Sequence, residues 1–158
     1  YPAGPQIDKR AQLGNPKAFK FTKPKVAGLN FSFSGLKTAI LYFIQKETAN
    51  NPNFVEENIN DICASIQYTI IGILIDKLKL ASKQTGIKHI AIGGGVSANS
   101  GIRQALKTGE SKFGWTTYVP KFEFTTDNAA MIAIVGYLKY LENDFTEQDV
   151  TASARLKI

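Results

Sequence analysis

The chain has 158 residues, enough for one domain with a sizeable core, and its 44% apolar and 20% charged residues exclude a disordered polymer. No window approaches the roughly 18 uninterrupted apolar residues of a membrane span, so no membrane partner is expected. The net charge of +6 and isoelectric point near 9.4 suit a polyanionic partner, while the single cysteine, Cys63, rules out an internal disulfide and fits a reducing, cytoplasmic setting.

The opening "YPAGP" lacks an initiator Met and a signal peptide and reads as the interior of a longer protein. Residues 1–33 carry Pro2, Pro5, Pro16 and Pro24 and read as turns, short helix and extended segments. Within them, "KRAQLGNPKAFKFTKPK" (9–25) holds Lys9, Arg10, Lys17, Lys20, Lys23 and Lys25 and no acid. Phe19 and Phe21 lie among these lysines. Such interleaving suits a nucleic acid, with lysines screening phosphates and rings stacking on bases. A solvated basic segment with two buried anchors fits the same pattern.

Next, "NFSFSG" alternates like a short strand. "SGLKTAILYFIQKETAN" reads as a helix with Ser34 as N-cap and Leu36, Ile40, Phe43 and Ile44 on one face. From Phe54 to Gly86 the spacing of Ile59, Ile62, Cys63, Ile66, Ile70, Ile73, Leu74 and Leu78 predicts one long helix, with Cys63 a small core residue and Gly86 the stop. "IKHIAI" predicts a buried strand, in which His89 is structural. "ANSGIRQALKTG" predicts a helix and "WTTYVP" a second strand. "TTDNAAMIAIVGYLKYLEN" predicts a third major helix capped by Thr125 or Thr126, and "VTASARLKI" is weak extended structure. The alternation points to α/β architecture with parallel strands joined by crossovers. Two strands make a thin sheet, so residues 1–158 are expected to be a single piece of a larger protein.

Three stretches carry chemistry. In "AIGGGVSANSGIR" (91–103) a strand runs into Gly93, Gly94 and Gly95 and then a helix, which presents backbone N–H groups and a helix N-terminus to an anion. The spacing is neither G-x-G-x-x-G nor a Walker sequence. A loop closing on a phosphate or ribose, with the Asn99 amide donating and accepting, survives beside a tight turn that merely needs glycine. In "TTDNAAMIA", Asp127 and Asn128 stand at a helix start, where a carboxylate either caps the helix or offers a hard oxygen to a metal. "FSFSGLKTA" sets Ser34 and Lys37 at a helix start, as an anion contact or as a cap with a solvent-facing lysine. The sequence contains no Ser-His-Asp set, no C-x-x-C and no complete metal site.

Together, "YPAGP", "FSFSGLKTA", "DICASIQ", "GGGVSAN" and "TTDNAAMIA" resemble the C-terminal half of the tRNA threonylcarbamoyladenosine transferase family, formerly the glycoprotease or O-sialoglycoprotein endopeptidase family. The motifs keep family order and spacing over nearly the whole chain. The resemblance implies a two-lobed fold like that of actin, Hsp70 and sugar kinases (ribonuclease H-like), with this chain as most of the C-terminal lobe. It implies transfer of the threonylcarbamoyl group of threonylcarbamoyl-adenylate to the adenosine 3′ of the anticodon in tRNA. By motif match, Gly4, Gly94, Gly95 and Asn99 contact the adenylate, and Asp127 is a ligand of one divalent ion, iron or zinc. Ser34, Lys37, Lys17 and Lys20 become candidate substrate or tRNA contacts, and proteins of the same modification pathway become partners.

Three departures stand out. The family's two metal-binding histidines lie upstream of this chain, so Asp127 is one ligand of three and the isolated piece is expected to be inactive. Ala3 replaces the first glycine of the family's Pro-Gly-Gly-Pro. Thr125 replaces a frequent cysteine. The rival readings are a metallopeptidase, for which an H-E-x-x-H helix is missing, a non-catalytic scaffold subunit, which has no use for a substrate loop, and a kinase of the same fold.

Overall fold

The computed structural model describes residues 3–151 and residue 153. The chain divides into two compact units, Tyr1–Thr125 and Thr126–Ile158. The tail predicted as extended lies partly outside the described residues, as do Tyr1 and Pro2 of the first motif.

The first unit is mixed α/β. Helix α1 (Ala3–Ala11) starts inside the proline-rich opening, where Pro5 is tolerated because first-turn N–H groups have no intrahelical acceptor. Lys9 and Arg10 in its last turn complement the helix dipole. Helix α2 (Leu36–Asn50) is entered through Gly35 in the left-handed region (φ 79°). Ser34 therefore does not cap it, and its own backbone N–H is held by the Ser32 hydroxyl at 3.1 Å. This turn also leaves "NFSFSG" as an irregular segment without strand pairing.

Helix α3 (Phe54–Thr85) is the long helix that the periodicity predicts. It carries Glu56 and Glu57 in its first turn and Lys83 in its last, and it ends at Gly86 (φ 74°). Its 32 residues are long and apolar enough to cross a membrane by length and composition alone. A third of that apolar window is buried, and two faces of the helix pack against other elements. One face joins Phe21 and Leu36 through Ile73, with Phe19, Ile40, Phe43, Ile66 and Ile70 packed around them. Another joins Ile90, Ile102, Leu106 and Trp115 through Ile71, Leu74, Ile75 and Leu78. Polar residues are buried between them. Ser65 is 0% exposed, and its hydroxyl accepts the Phe19 N–H at 3.0 Å, while the Thr69 hydroxyl donates to the Ser65 carbonyl at 2.9 Å.

The sheet has two parallel strands, β1 (His89–Ala91) and β2 (Thr116–Tyr118), in register His89↔Thr116, Ile90↔Thr117, Ala91↔Tyr118. They are shorter than the two apolar runs suggest. Only Ile90 is buried, so the expected buried strand is largely open. His89 is exposed, stacks beside Tyr118 and lies 3.1 Å from its hydroxyl through Nδ1. Helix α4 (Ser100–Phe113) crosses over between the strands. Leu106, 1% exposed, anchors it, and Gly109 lets the Trp115 ring lie against its backbone.

The second unit contains helix α5 (Ala129–Leu141), which buries none of its apolar side chains; Ile132 is 77% exposed. Its N-cap is Asn128, whose Oδ1 accepts the Met131 N–H at 3.1 Å. This corrects the expectation of Thr125 or Thr126. The Thr125 hydroxyl is buried and donates instead to the Phe122 carbonyl at 2.8 Å.

Candidate functional site

Parallel strands deliver their following loops to one end of the sheet, and the loop after β1 is the glycine stretch. Gly94 turns the chain at φ 74°, and a 3-10 turn (Gly95–Ala98) follows. The Ser97 N–H and hydroxyl both donate to the Gly94 carbonyl, at 2.9 and 2.7 Å. Arg103, in the first turn of α4, donates to the Ser97 carbonyl at 2.7 Å and to the Pro120 carbonyl at 2.8 Å, which ties the loop after β1 to the loop after β2.

Asn99 caps α4: it is extended (φ −62°, ψ 124°), and its Oδ1 accepts the Ile102 N–H at 3.0 Å. Its Nδ2 donates to Gln67 Oε1 at 2.7 Å. The α4 N-terminus, expected to be open to a ligand anion, already holds one. The Asp8 carboxylate of α1 accepts the Ser100 N–H at 3.0 Å and its hydroxyl at 2.8 Å, and accepts Gln67 Nε2 at 3.0 Å. Sequence reasoning passed over Asp8 and Gln67. A signal was present, since Asp8 is the only acid before Glu47 and Gln67 closes the "DICASIQ" motif.

These groups border a cavity of about 580 Å³ whose lining includes Gly4, Asp8, Gln67, Gly95, Val96 and Asn99. The volume suits a small organic ligand, and isoleucine is the commonest residue in the remaining wall. Gly4, Gly95 and Asn99, from two motifs far apart in sequence, thus meet at one place. Gly94 shapes the loop without lining this cavity. Ser34, Lys37, Lys17 and Lys20 are exposed and lie outside the lining. Asp127 belongs to the second unit.

The glycines separate by physical cause. A Cβ on Gly109 would meet the Trp115 ring at 2.4 Å, and one on Gly14 would meet the Asn60 carbonyl at 2.1 Å, so packing demands glycine there. A Cβ on Gly4 or Gly95 would meet nothing within 4 Å, and neither residue has a positive φ. Among the described residues, neither crowding nor backbone conformation explains them. Among the described residues, the N–H groups of Gly93, Gly94, Gly95 and Val96 also find no acceptor.

In the basic segment, Phe19 and Phe21 are anchors and not stacking platforms. Phe19 packs 5.1 Å from Phe43 and 5.7 Å from Phe54, and Phe21 lies edge-on to Phe43 at 5.4 Å. Lys23 pairs with Asp76 at 2.6 Å.

Among the described residues no three His, Cys, Asp or Glu side chains lie together. Asp127 is exposed, capping is done by Asn128, and no described residue pairs with its carboxylate. Burial pushes the Cys63 thiol up, consistent with an inert core residue. The marked carboxylate shift lies outside the cavity: Lys107 and Thr117 beside Glu110 hold it down to about 2.

Comparison with known proteins places the chain. Residues 1–134 match the family model for tRNA N6-adenosine threonylcarbamoyltransferase (TsaD). Curated proteins of that name are 72% identical in Christiangramia forsetii over 99% of this chain, 59% identical in Riemerella anatipestifer over 100%, and 49% identical in Porphyromonas gingivalis over 100%. In each case the match covers 46% of the relative, so the chain spans about half the length of the curated relatives it matches.

Proposed function

The chain belongs to the tRNA N6-adenosine threonylcarbamoyltransferase family, and from that premise we propose that the longer protein transfers a threonylcarbamoyl group from threonylcarbamoyl-adenylate to N6 of the adenosine 3′ of the tRNA anticodon. In this reaction the amine forms a new C–N bond to the carbamoyl carbon, the C–O bond to the adenylate breaks, AMP leaves and N6 gives up a proton. The observation that carries the substrate assignment is the pair of open glycines, Gly4 and Gly95, facing one cavity with Asn99.

In this reading the adenylate supplies the contact that the glycines lack within the chain. Gly94 turns the loop, the bare backbone at Gly95 and Gly4 lets the nucleoside come close, and Asn99 contributes a positioned N–H. Asp127 supplies one carboxylate to a divalent iron or zinc ion, which when bound provides Lewis acidity at the carbamoyl end. The remaining ligands, and the second lobe of an actin-like fold, belong to the part of the protein outside this chain. The exposed Lys17, Lys20 and Lys25 offer charge to the tRNA backbone, with Ser34 and Lys37 as further contacts. Pathway proteins remain proposed partners. The peptidase and scaffold readings have no support in the names of the relatives, which are transferases.

The test is a transfer assay with full-length protein, isotopically labelled threonylcarbamoyl-adenylate and unmodified tRNA. Label appearing on the adenosine base supports the reading. Release of label to water alone, with no modified nucleoside, contradicts it.

A further inference from the structure

Gln67 touches both the cavity and the two groups that shape its polar edge. It is half-buried in α3 and reaches Asp8 of α1 and the cap of α4 together. The hydrogen bonds run in one direction only. Carboxylate oxygens accept and do not donate, so at Asp8 the Gln67 amide must present Nε2. Its Oε1 is then fixed on the other side, where it accepts Nδ2 of Asn99. Asn99 is thereby turned so that Oδ1 meets the Ile102 N–H. One Nδ2 hydrogen is used by Gln67, and the second has no acceptor among the described residues.

We propose that Gln67 is a positioning residue that carries the polarity of Asp8 to Asn99, fixing the amide so that Asn99 presents an N–H, not a carbonyl, to the ligand. The site then selects a ligand with an acceptor at that point, such as a ribose or phosphate oxygen, and disfavours a donor there. This rests on the nucleotide reading of the cavity. Asn99 unassisted has two amide orientations, and only one keeps the α4 cap. The relay selects that orientation before the ligand arrives, which spares the ligand the cost of ordering it.

The experiment uses full-length protein and AMP as probe, with affinity by calorimetry and melting temperature measured in parallel. Gln67→Glu keeps the side-chain volume but removes the donor to Asp8 and sets two carboxylates together. Expected is a loss of AMP affinity of about tenfold or more, because repulsion from Asp8 drives the new carboxylate away and Asn99 loses the acceptor that fixes its amide. In the double variant Asp8→Asn, Gln67→Glu, amide and carboxylate exchange places. The new amide donates to the new carboxylate, which still accepts from Asn99. Affinity is expected to return to the parent's order of magnitude. Gln67→Leu, which carries no charge, should weaken AMP binding in the parent but add nothing in an Asn99→Ala background, since its effect passes through Asn99. A structural role would instead lower the melting temperature and act equally in both backgrounds. Parental affinity in Gln67→Glu, no recovery in the double variant, or equal loss in both backgrounds overturns the inference. A parent that folds but does not bind AMP overturns the nucleotide reading itself.

Discussion

The carboxylate of Asp8 accepts the backbone N–H of Ser100 at 3.0 Å, across 92 residues of sequence. An acid from the first helix thus occupies the start of α4, the place where a helix offers partial positive charge. An anion arriving at this loop would have to find other donors, and the N–H groups of Gly93, Gly94, Gly95 and Val96 have no acceptor among the described residues.

Asp8→Ala removes three hydrogen bonds and a charge favourably placed at a helix N-terminus. The half-buried setting puts the cost at about 1–3 kcal/mol of stability. Urea unfolding of the full-length protein measures it. An unchanged midpoint would mean that the α1–α4 tie is not held by this residue.

Asn99→Ala acts on stability and binding together. Losing the N-cap costs about 1 kcal/mol, and losing the amide weakens AMP binding. Asn99→Ser is the informative companion, because a hydroxyl retains capping but cannot reach both Ile102 and Gln67. It should fold like the parent and still bind AMP more weakly. Parental affinity in that variant would confine Asn99 to capping.

Asp127→Asn should leave the melting temperature of the metal-free protein unaltered, since Asn128 and not Asp127 caps α5. If Asp127 is a metal ligand, elemental analysis of the full-length variant after dialysis will show substoichiometric iron or zinc beside a loaded parent. Equal metal content in both would remove Asp127 from the proposed site.

Acid stability has a defined signature at Glu110. Its folded-state value, about 2, lies below the ordinary 4.5 because Lys107 and Thr117 hydrogen-bond the charged form. A depressed carboxylate contributes stability that is complete above the unfolded value and is lost as pH falls toward the folded one. The stability difference between parent and Glu110→Gln should therefore be full at pH 6, narrow below about 4.5 and close near 2. A difference independent of pH would show that the charge contributes nothing.

Local rules made much of the fold legible. The α3 stripe and its Gly86 stop needed only helical period and glycine chemistry, and they place that helix within a residue. The Ser34 and Thr125 caps misled because a hydroxyl near a helix start is a local signal, whereas Gly35 took the one role through a left-handed backbone and Asn128 the other through its side-chain Oδ1. At the site, Gly4, Gly95 and Asn99 were recoverable from motifs, but nothing local reveals that Asp8 reaches Ser100. That contact exists only because α1 docks on α3 beside the α4 cap. The rings of Phe19 and Phe21 suited nucleic acid and core equally in sequence. Packing against Phe43 and Phe54 decided the matter.

The central claim is that Gly4 and Gly95 are glycines because a nucleotide approaches them. The most direct measurement compares AMP affinity and melting temperature for Gly4→Ala, Gly95→Ala and Gly109→Ala in the full-length protein. An added methyl at Gly4 or Gly95 meets open space, so neither variant should lose stability, and Gly4→Ala in a helix should gain up to about 1 kcal/mol. Both should bind AMP at least about tenfold more weakly, because a methyl occupies the ligand's place. Gly109→Ala should do the reverse, lowering the melting temperature through its clash with Trp115 while the folded protein keeps parental affinity. Parental AMP affinity in both Gly4→Ala and Gly95→Ala would contradict the account.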